Sequence, residues 1–558
     1  MNAQSGHRTF YLVPVSSEAG LTSVSLGLVR ALQLAGVRVG FAKPIAQPEA
    51  FAGEQDVSSH FARMLCGAAS PDSIPFDHAA EMVRAGRLSG LMEEVVARIE
   101  TVRASHDVIV VEGLIPDAEI QIATRLNIEI IRSLGADLIP VLAGGERVAD
   151  SLAAITATAV EQYGDEGRRA IAGVLINHCS VAASVALNHA GTLDLGSGSN
   201  PAPILAAIPS VPDLSAPRVI DVAKGLDLEI LQRGDIETAR VLAQLVAARS
   251  PEKLLGHLRP GTLVVTPADR SDAILATALI AQRGMPLAGF LLTCGGRPAP
   301  EILSILATPP LDRLPILVSI EDTYTLASRL AGLSGHIASD DGPRMERVVS
   351  FIAERIDTSP LARRIGLPTD ALMPPPVFRH RLVEAARASS KRIVLPEGYE
   401  PRTLKAAAIC AEKGIAHCVL LGAPHRVLAV AAAHGVDLPR DVEIIDPEFF
   451  RLTYVSPLVK LRKSKGLTPL QAEAALEDNV VLGTMMLAEG HVDGLVSGAV
   501  HTTANTVRPA MQLIKTAPGS NLVSSVFFML MADQVLVYGD CAINPEPNAQ
   551  ELAEIAIQ

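Results

Sequence analysis

Residues Thr9 to Thr22 read TFYLVPVSSEAGLT, and this stretch decides the fold of the N-terminal half of the chain. Thr9–Val15 is a short apolar run without helical spacing, which predicts a buried strand. Ser16–Ala19 is a polar loop. From Gly20 to Ala35 apolar residues recur at helical spacing, and Gly36 supplies the stop. Strand, loop and helix in that order frame a phosphate-binding loop, whose pattern is G-x-x-x-x-G-K-[ST]. Gly20 and Thr22 fit the second glycine and the hydroxyl, whereas Val15 replaces the first glycine and Leu21 the lysine. Without the lysine the loop lacks the charge that grips a γ-phosphate. Further along, Val37–Phe41, Asp107–Glu112, Leu138–Leu142 and Ile171–Ile176 are apolar runs separated by helical stretches. That alternation predicts a P-loop-like, doubly wound parallel sheet. Glu112 either imitates the acid that holds magnesium in such folds or is an ordinary strand-end carboxylate.

The whole chain has 558 residues, too many for one hydrophobic core. Apolar residues make up 49% and charged residues 19%, a globular balance. The net charge of -12 leaves no basic footprint for nucleic acid. A small anion can still be gripped by a few local Arg or Lys side chains. The six cysteines form no C-x-x-C pair and have no zinc spacing, so reduced thiols and no metal are expected. Met1–Arg8 lacks an apolar signal core, and no apolar run reaches the roughly 18 residues of a membrane span. A soluble, cytoplasmic protein without membrane partners is the expectation.

Composition shifts divide the chain. Gly196–Pro203 is a Gly/Ser/Asn/Pro stretch, and a smaller α/β unit follows over Val211–Gly335, with strands Thr262–Thr266, Leu287–Leu292 and Ile316–Val318. In it Asp269 caps a helix or helps bind an anion, and Arg297 lies in a glycine loop. Ser334–Asp357 reads as a loop and then an amphipathic helix. Pro368 and Pro374-Pro375-Pro376 read as a stiff extended linker. The expected domains are 1–205, 211–335 and 374–558, with a helix and linker over 336–373. The last region reads helix Arg379–Ser390, strand Arg392–Leu395, helix Pro401–Lys413, strand His417–Leu421, a helix start at Thr468-Pro469 and strand Val492–Val496.

Chemistry gathers in this last region. Ser497–Thr506, SGAVHTTANT, leaves a buried strand and is expected to enter a helix near Thr506. Ser497, Thr502 and Thr503 offer hydroxyls, and a helix N-terminus offers N–H groups and a favourable dipole for an anion. Arg508 is placed in the first helical turn, and Lys515, seven residues on, about two turns along the same face. Arg462, with Lys463 and Lys465 beside it, is suited to bidentate phosphate contacts. His501 is a general base or a loop histidine that simply hydrogen-bonds.

Three phrases of this region, RIVLPEGYEPRTLKAAA from Arg392, LRKSKGLTP from Leu461 and DGLVSGAVHTTANTVRPAMQLIKTAP from Asp493, together resemble the phosphate acetyl/butyryl transferase family. The phrase VRVGFAKPIAQP from Val37 is similar to the dethiobiotin-synthetase-like domain of that family's long members. Asp269-Arg270 loosely echo their DRTGG-like regulatory domain. The resemblance implies a C-terminal two-lobed α/β domain like that of isocitrate dehydrogenase. It implies phosphate acetyltransferase activity by direct thiolate attack on acetyl phosphate. CoA, acetyl phosphate and phosphate would be the partners, with CoA a substrate and no resident cofactor. It assigns catalysis to Arg462 and Arg508, and on the chemistry of the residues themselves substrate binding is expected at Ser497, His501, Thr502, Thr503 and Lys515. A homo-oligomer is implied, often a hexamer in long members. The family's base lies in a later phrase, so the catalytic domain, Pro374 to Gln558, is expected to be incomplete and to lack that base. Two other readings stay open: a non-catalytic regulatory or assembly fragment binding CoA or a metabolite, and an ATP-dependent ligase of the dethiobiotin-synthetase type.

Overall fold

A computed structural model of the chain describes residues 7–16, 19–48, 51–52, 55–116, 122–163, 171–196, 201–333, 335–365, 373–531 and 534–558. Parts of two expected loops (17–18 and 197–200), the start of the expected loop before the amphipathic helix (334) and the expected linker stretch 366–372 lie outside the described residues. The chain divides into two compact units, Met1–Arg132 with Ala136–Asp370, and Ser133–Gly135 with Ala371–Gln558.

The first unit opens with β1 (Arg8–Pro14), β2 (Val39–Ala42), a small hairpin of β3 (Phe51–Ala52) and β4 (Gln55–Asp56), β5 (Val108–Glu112), β6 (Asp137–Gly145), β7 (Val174–Cys179), β8 (Thr192–Leu193) and β9 (Ala202–Pro209). Seven of these form one sheet in the order β2-β5-β1-β6-β7-β9-β8. The central β1 pairs in parallel on both sides, with Phe10 opposite Val110 and Asp137. Both faces of such a strand are covered, which is why Phe10 to Val13 is apolar without alternation and fully buried. Only the short edge strand β8 runs antiparallel, against β9. The expected doubly wound parallel sheet is present.

A second sheet of the same unit contains β10 (Glu229–Gln232), β11 (Ala243–Val246), β12 (Thr262–Pro267), β13 (Gly289–Thr293) and β14 (Ile316–Val318), in the order β10-β14-β13-β12-β11. Helix Gly342–Ala353, expected beside a linker, instead completes the first core. Met345, Val349 and Ile352 cluster with Val24, Leu28 and Val29 of helix Leu21–Leu34. The helices approach so closely at Gly27 that a Cβ there would lie 2.3 Å from Ile352 Cγ2.

The second unit holds β15 (Arg392–Leu395), β16 (His417–Leu421), β17 (Glu443–Ile445) and β18 (Gly494–Leu495), an all-parallel sheet ordered β17-β16-β15-β18. Val394, Val419 and Leu421 of this sheet pack with Leu458 of helix Val455–Leu461 and Leu482, Met485 and Met486 of helix Asn479–Ala488. A separate antiparallel hairpin, β19 (Val526–Leu530) and β20 (Val535–Gly539), exposes Phe527, Phe528, Val537 and Tyr538. One expectation is corrected: the triple proline is a helix start, not an extended linker. Pro374 is the N-cap of helix Pro375–Ser389, with prolines in its first turn. First-turn N–H groups have no intrahelical partner, so proline there forfeits no hydrogen bond.

Candidate active site

Adjacent strands β15 and β18 run in register, Ile393 opposite Gly494 and Val394 opposite Leu495. The residues that follow them, Pro396-Glu397 and Val496-Ser497, therefore leave the sheet side by side at its C-terminal edge. That edge is where open α/β sheets bind their ligands. Here the loop of SGAVHTT wraps one carboxylate. Glu397 accepts from the backbone N–H of Gly498 (3.3 Å), Ala499 (2.9 Å), Val500 (2.8 Å) and His501 (2.9 Å), and from His501 Nδ1 (2.8 Å). Successive N–H groups converging in this way form an anion-binding nest. The Glu397 side chain is only 3% exposed. Burial alone would raise its carboxyl, but the donors of His501, Val500 and Ala499 outweigh that and hold it down, to about 2. From another direction Arg402 Nη2 donates to the Ala499 carbonyl at 2.7 Å, while its Nε donates to Glu400.

The geometry adds a use of the loop that the sequence did not suggest. Its backbone donors are spent on Glu397, an anion of the chain itself, and not left free for a substrate. Ser497 Oγ is buried and has no hydrogen-bond partner among the described residues. Thr502 is the N-cap of helix Thr503–Leu513, accepting from Asn505 N at 3.3 Å. The helix thus begins at Thr503, before the expected start near Thr506, because Thr502 is a good cap and the loop is already closed by Glu397. Arg508 consequently sits in the second turn, exposed. Lys515 lies beyond the helix end with φ at 68°, its N–H donating to Ala510 O. A left-handed residue at that position terminates a helix, so Lys515 does not share a helical face with Arg508. Arg462 follows helix Val455–Leu461 as its C-cap, half-buried, and leads into a tight turn carrying Lys463 and Lys465. The next helix starts at Thr468 through a reciprocal cap with Gln471, as its Thr-Pro start predicts. The structure thus gathers Ser497, His501, Thr502 and Thr503 around one loop and helix start, and sets Arg462 and Arg508 on two separate elements. Sequence reasoning passed over Glu397, although an acid between Pro396 and Gly398 directly after an apolar strand was a usable signal.

In the first unit a carboxylate gathers donors from three elements beside the expected loop. Lys43, from the end of β2, donates to Glu112 Oε1 at 3.0 Å and to the Gly113 carbonyl at 2.6 Å. Thr22 Oγ1 and Ser58 Oγ reach the same carboxylate oxygen at 3.1 and 2.9 Å. Glu112 is accordingly a buried carboxylate with three bonds to one oxygen, and its Lys partner comes from beside β2, not from the lysine position of the pattern, which Leu21 occupies. Burial raises the nearby Asp56 carboxyl, with Lys43 opposing and Glu112 adding to the rise.

The four-stranded parallel sheet, with the loop of Ser497 and His501 closed at its C-terminal edge, gives the second unit the architecture of an α/β ligand-binding domain. Residues 377–558 match the phosphate acetyl/butaryl transferase family, with an AAA domain over 8–218 and a DRTGG domain over 221–333. A phosphate acetyltransferase of Deinococcus radiodurans is 47% identical across 99% of this chain and 79% of its own, and one of Escherichia coli 41% across 99% and 80%. The chain belongs to the phosphate acetyltransferase family. A solved structure, the EutD phosphotransacetylase of Staphylococcus aureus, is 40% identical over 32% of this chain and 53% of its own, with a TM-score of 0.30. This chain thus spans about half of that enzyme's chain.

Proposed function

We infer that the chain transfers acetyl between acetyl phosphate and coenzyme A, forming acetyl-CoA and phosphate, and runs the reverse reaction. The observation that carries this reading is similarity to phosphate acetyltransferases along 99% of the chain. Both substrates are polyanions, so their joint binding needs fixed cations. Arg508 is the phosphoryl ligand and Arg462, with Lys463 and Lys465, the ligand for CoA phosphates; the planar forks of the two arginines suit phosphate oxygens, and the lysines add charge. Ser497 Oγ and Thr503 supply hydroxyls, and the start of helix Thr503–Leu513 adds a positive dipole end. Thr502 contributes through the cap and Lys515 through long-range charge.

In the chemical step the CoA sulfur forms a bond to the acetyl carbon as the carbon–oxygen bond to phosphate breaks. Phosphate leaves with the bonding pair, and the thiol proton ends on it, so that hydrogen phosphate is the product. A thiol of ordinary pKa, about 8.5, needs a base to raise its thiolate fraction near neutrality. Cations near the carbonyl and phosphoryl oxygens stabilise the charge that develops there. CoA enters as substrate, no resident cofactor is required, and the working form is a homo-oligomer. The six cysteines are all free thiols, which supports a reducing, cytoplasmic setting. Among the described residues no helix is long and apolar enough to cross a membrane.

The test is thioester formation from acetyl phosphate and CoA by the purified chain, with binding of CoA and inorganic phosphate followed by calorimetry. Both ligands should bind, thioester should form, and Arg508→Ala should weaken phosphate binding at least tenfold. A folded chain that binds neither ligand would overturn the reading.

A further inference from the structure

The Glu397 carboxylate is the least expected feature of the second unit. Burying an ionised carboxylate is costly unless it is fully hydrogen-bonded. Here five donors meet it, and all belong to the loop that carries Ser497 and His501. The backbone beneath Glu397 is itself fixed. A Cβ on Gly398 would lie 2.4 Å from the Leu421 carbonyl oxygen, so only glycine lets the chain turn against the end of β16. Asn479 Nδ2 donates to the Pro396 carbonyl at 3.2 Å, and the Tyr399 hydroxyl accepts from Ala423 N at 2.7 Å. Because Nδ1 of His501 engages Glu397, the ring has one remaining nitrogen, Nε2, which has no partner among the described residues on a side chain 29% exposed.

We propose that Glu397 is a positioning residue of the acetyl-transfer site: it clamps loop 498–501 in its working shape and turns His501 so that Nε2 alone meets the substrate. The proposal rests on the acetyl-transfer reading above and adds to it an internal anion that pre-folds the loop. A loop already closed on Glu397 loses little further freedom when substrate arrives, which is how pre-organisation raises affinity. His501 touches substrate; Glu397 acts only through the loop and the ring.

Three variants of the full chain test this: His501→Ala, Glu397→Gln and the double variant. Each is measured for kcat and KM in thioester formation, for phosphate and CoA affinity by calorimetry, and for amide exchange at 498–501. His501→Ala keeps four of the five donors on Glu397, so its loop amides should stay protected while kcat/KM falls at least tenfold. Glu397→Gln should expose those amides and lower kcat/KM by as much or more. The double variant should be no worse than Glu397→Gln, since the ring contributes nothing once the loop that aims it is released. The proposal is overturned if Glu397→Gln loosens the loop yet leaves kcat/KM and affinity within twofold. Additive losses in the double variant, or a His501→Ala enzyme with unchanged kcat/KM, overturn it as well, and this last arm survives even if Glu397→Gln does not fold. If the unmodified chain neither binds nor turns over, the acetyl-transfer reading fails first and takes this proposal with it; failure of a variant arm beside an active parent removes the proposal alone.

Discussion

Glu397 carries a charge that the second unit keeps ionised far into acid. Its carboxyl is held to about 2 against an ordinary value of 4.5. A group whose value is depressed on folding contributes stability that is complete above the unfolded value and lost as pH falls through the folded one. The side chain is almost wholly buried, so the contribution at neutral pH is about 3 kcal/mol, falling by more than half by about pH 3. Urea unfolding of Glu397→Gln beside the parent should show that difference at pH 7 and its shrinkage in acid. A pH-independent gap would mean that packing, not charge, is what Glu397 contributes. In the first unit Gly20 supports a sharper local claim. Its φ is 66°, and a Cβ there would lie 2.6 Å from Asn177 Nδ2. The Asn177 amide already donates to the Ala19 carbonyl, so it is not free to retreat. Gly20→Ala should cost about 1–3 kcal/mol from the left-handed backbone and the clash together, read as a lowered unfolding midpoint.

Among the elements, helix Gly342–Ala353 shows most clearly how a segment is recruited to a core. Its inward face meets helix Leu21–Leu34, while polar contacts hold its start. Asp341, the N-cap residue, accepts two bonds from Arg240, at 2.5 and 2.6 Å, and is 2% exposed. Arg344 is buried and donates to the carbonyls of Leu214 and Ser215. Arg218 bridges Asp221 and Asp340. Burial opposes ionisation of Asp341, but the Arg240 pairing prevails and lowers its carboxyl. Removing one partner of a buried pair leaves the other charge unpaired, which costs about 3–5 kcal/mol. Asp341→Ala should therefore strip amide protection from residues 345–353 before the rest of the unit opens. Protection equal to that of the parent would show the network to be dispensable. The amphipathic pattern of this helix was legible in sequence; its partner was not, because the contact joins residues more than 300 positions apart, such as Arg30 with Glu346.

Across the whole molecule, what was legible is what depends on neighbours in sequence: the apolar parallel strands, the Thr468 cap, the strand–loop–helix starts and the family phrases. What was not legible depends on pairing between distant strands. Glu397 meets Gly498 only because β15 lies beside β18, and Lys43 meets Glu112 only because β2 lies beside β5. The proline triplet misled because proline's cost depends on where in a helix it falls. The same separation of local and distant contacts shapes unfolding. The core around Leu482 draws every member from the second unit, and the core joining Leu28 to Ile352 draws every member from the first. Cores without shared residues can melt as separate cooperative units. Leu482 is fully buried, so Leu482→Ala should cost about 2–5 kcal/mol. For a unit of this size that lowers one melting transition by roughly 4–20 °C. Scanning calorimetry should show that transition move, with the one lowered by Asp341→Ala left in place, and CoA should raise only the former. If both variants instead displace a single common transition, the chain unfolds as one cooperative body and the two cores are coupled.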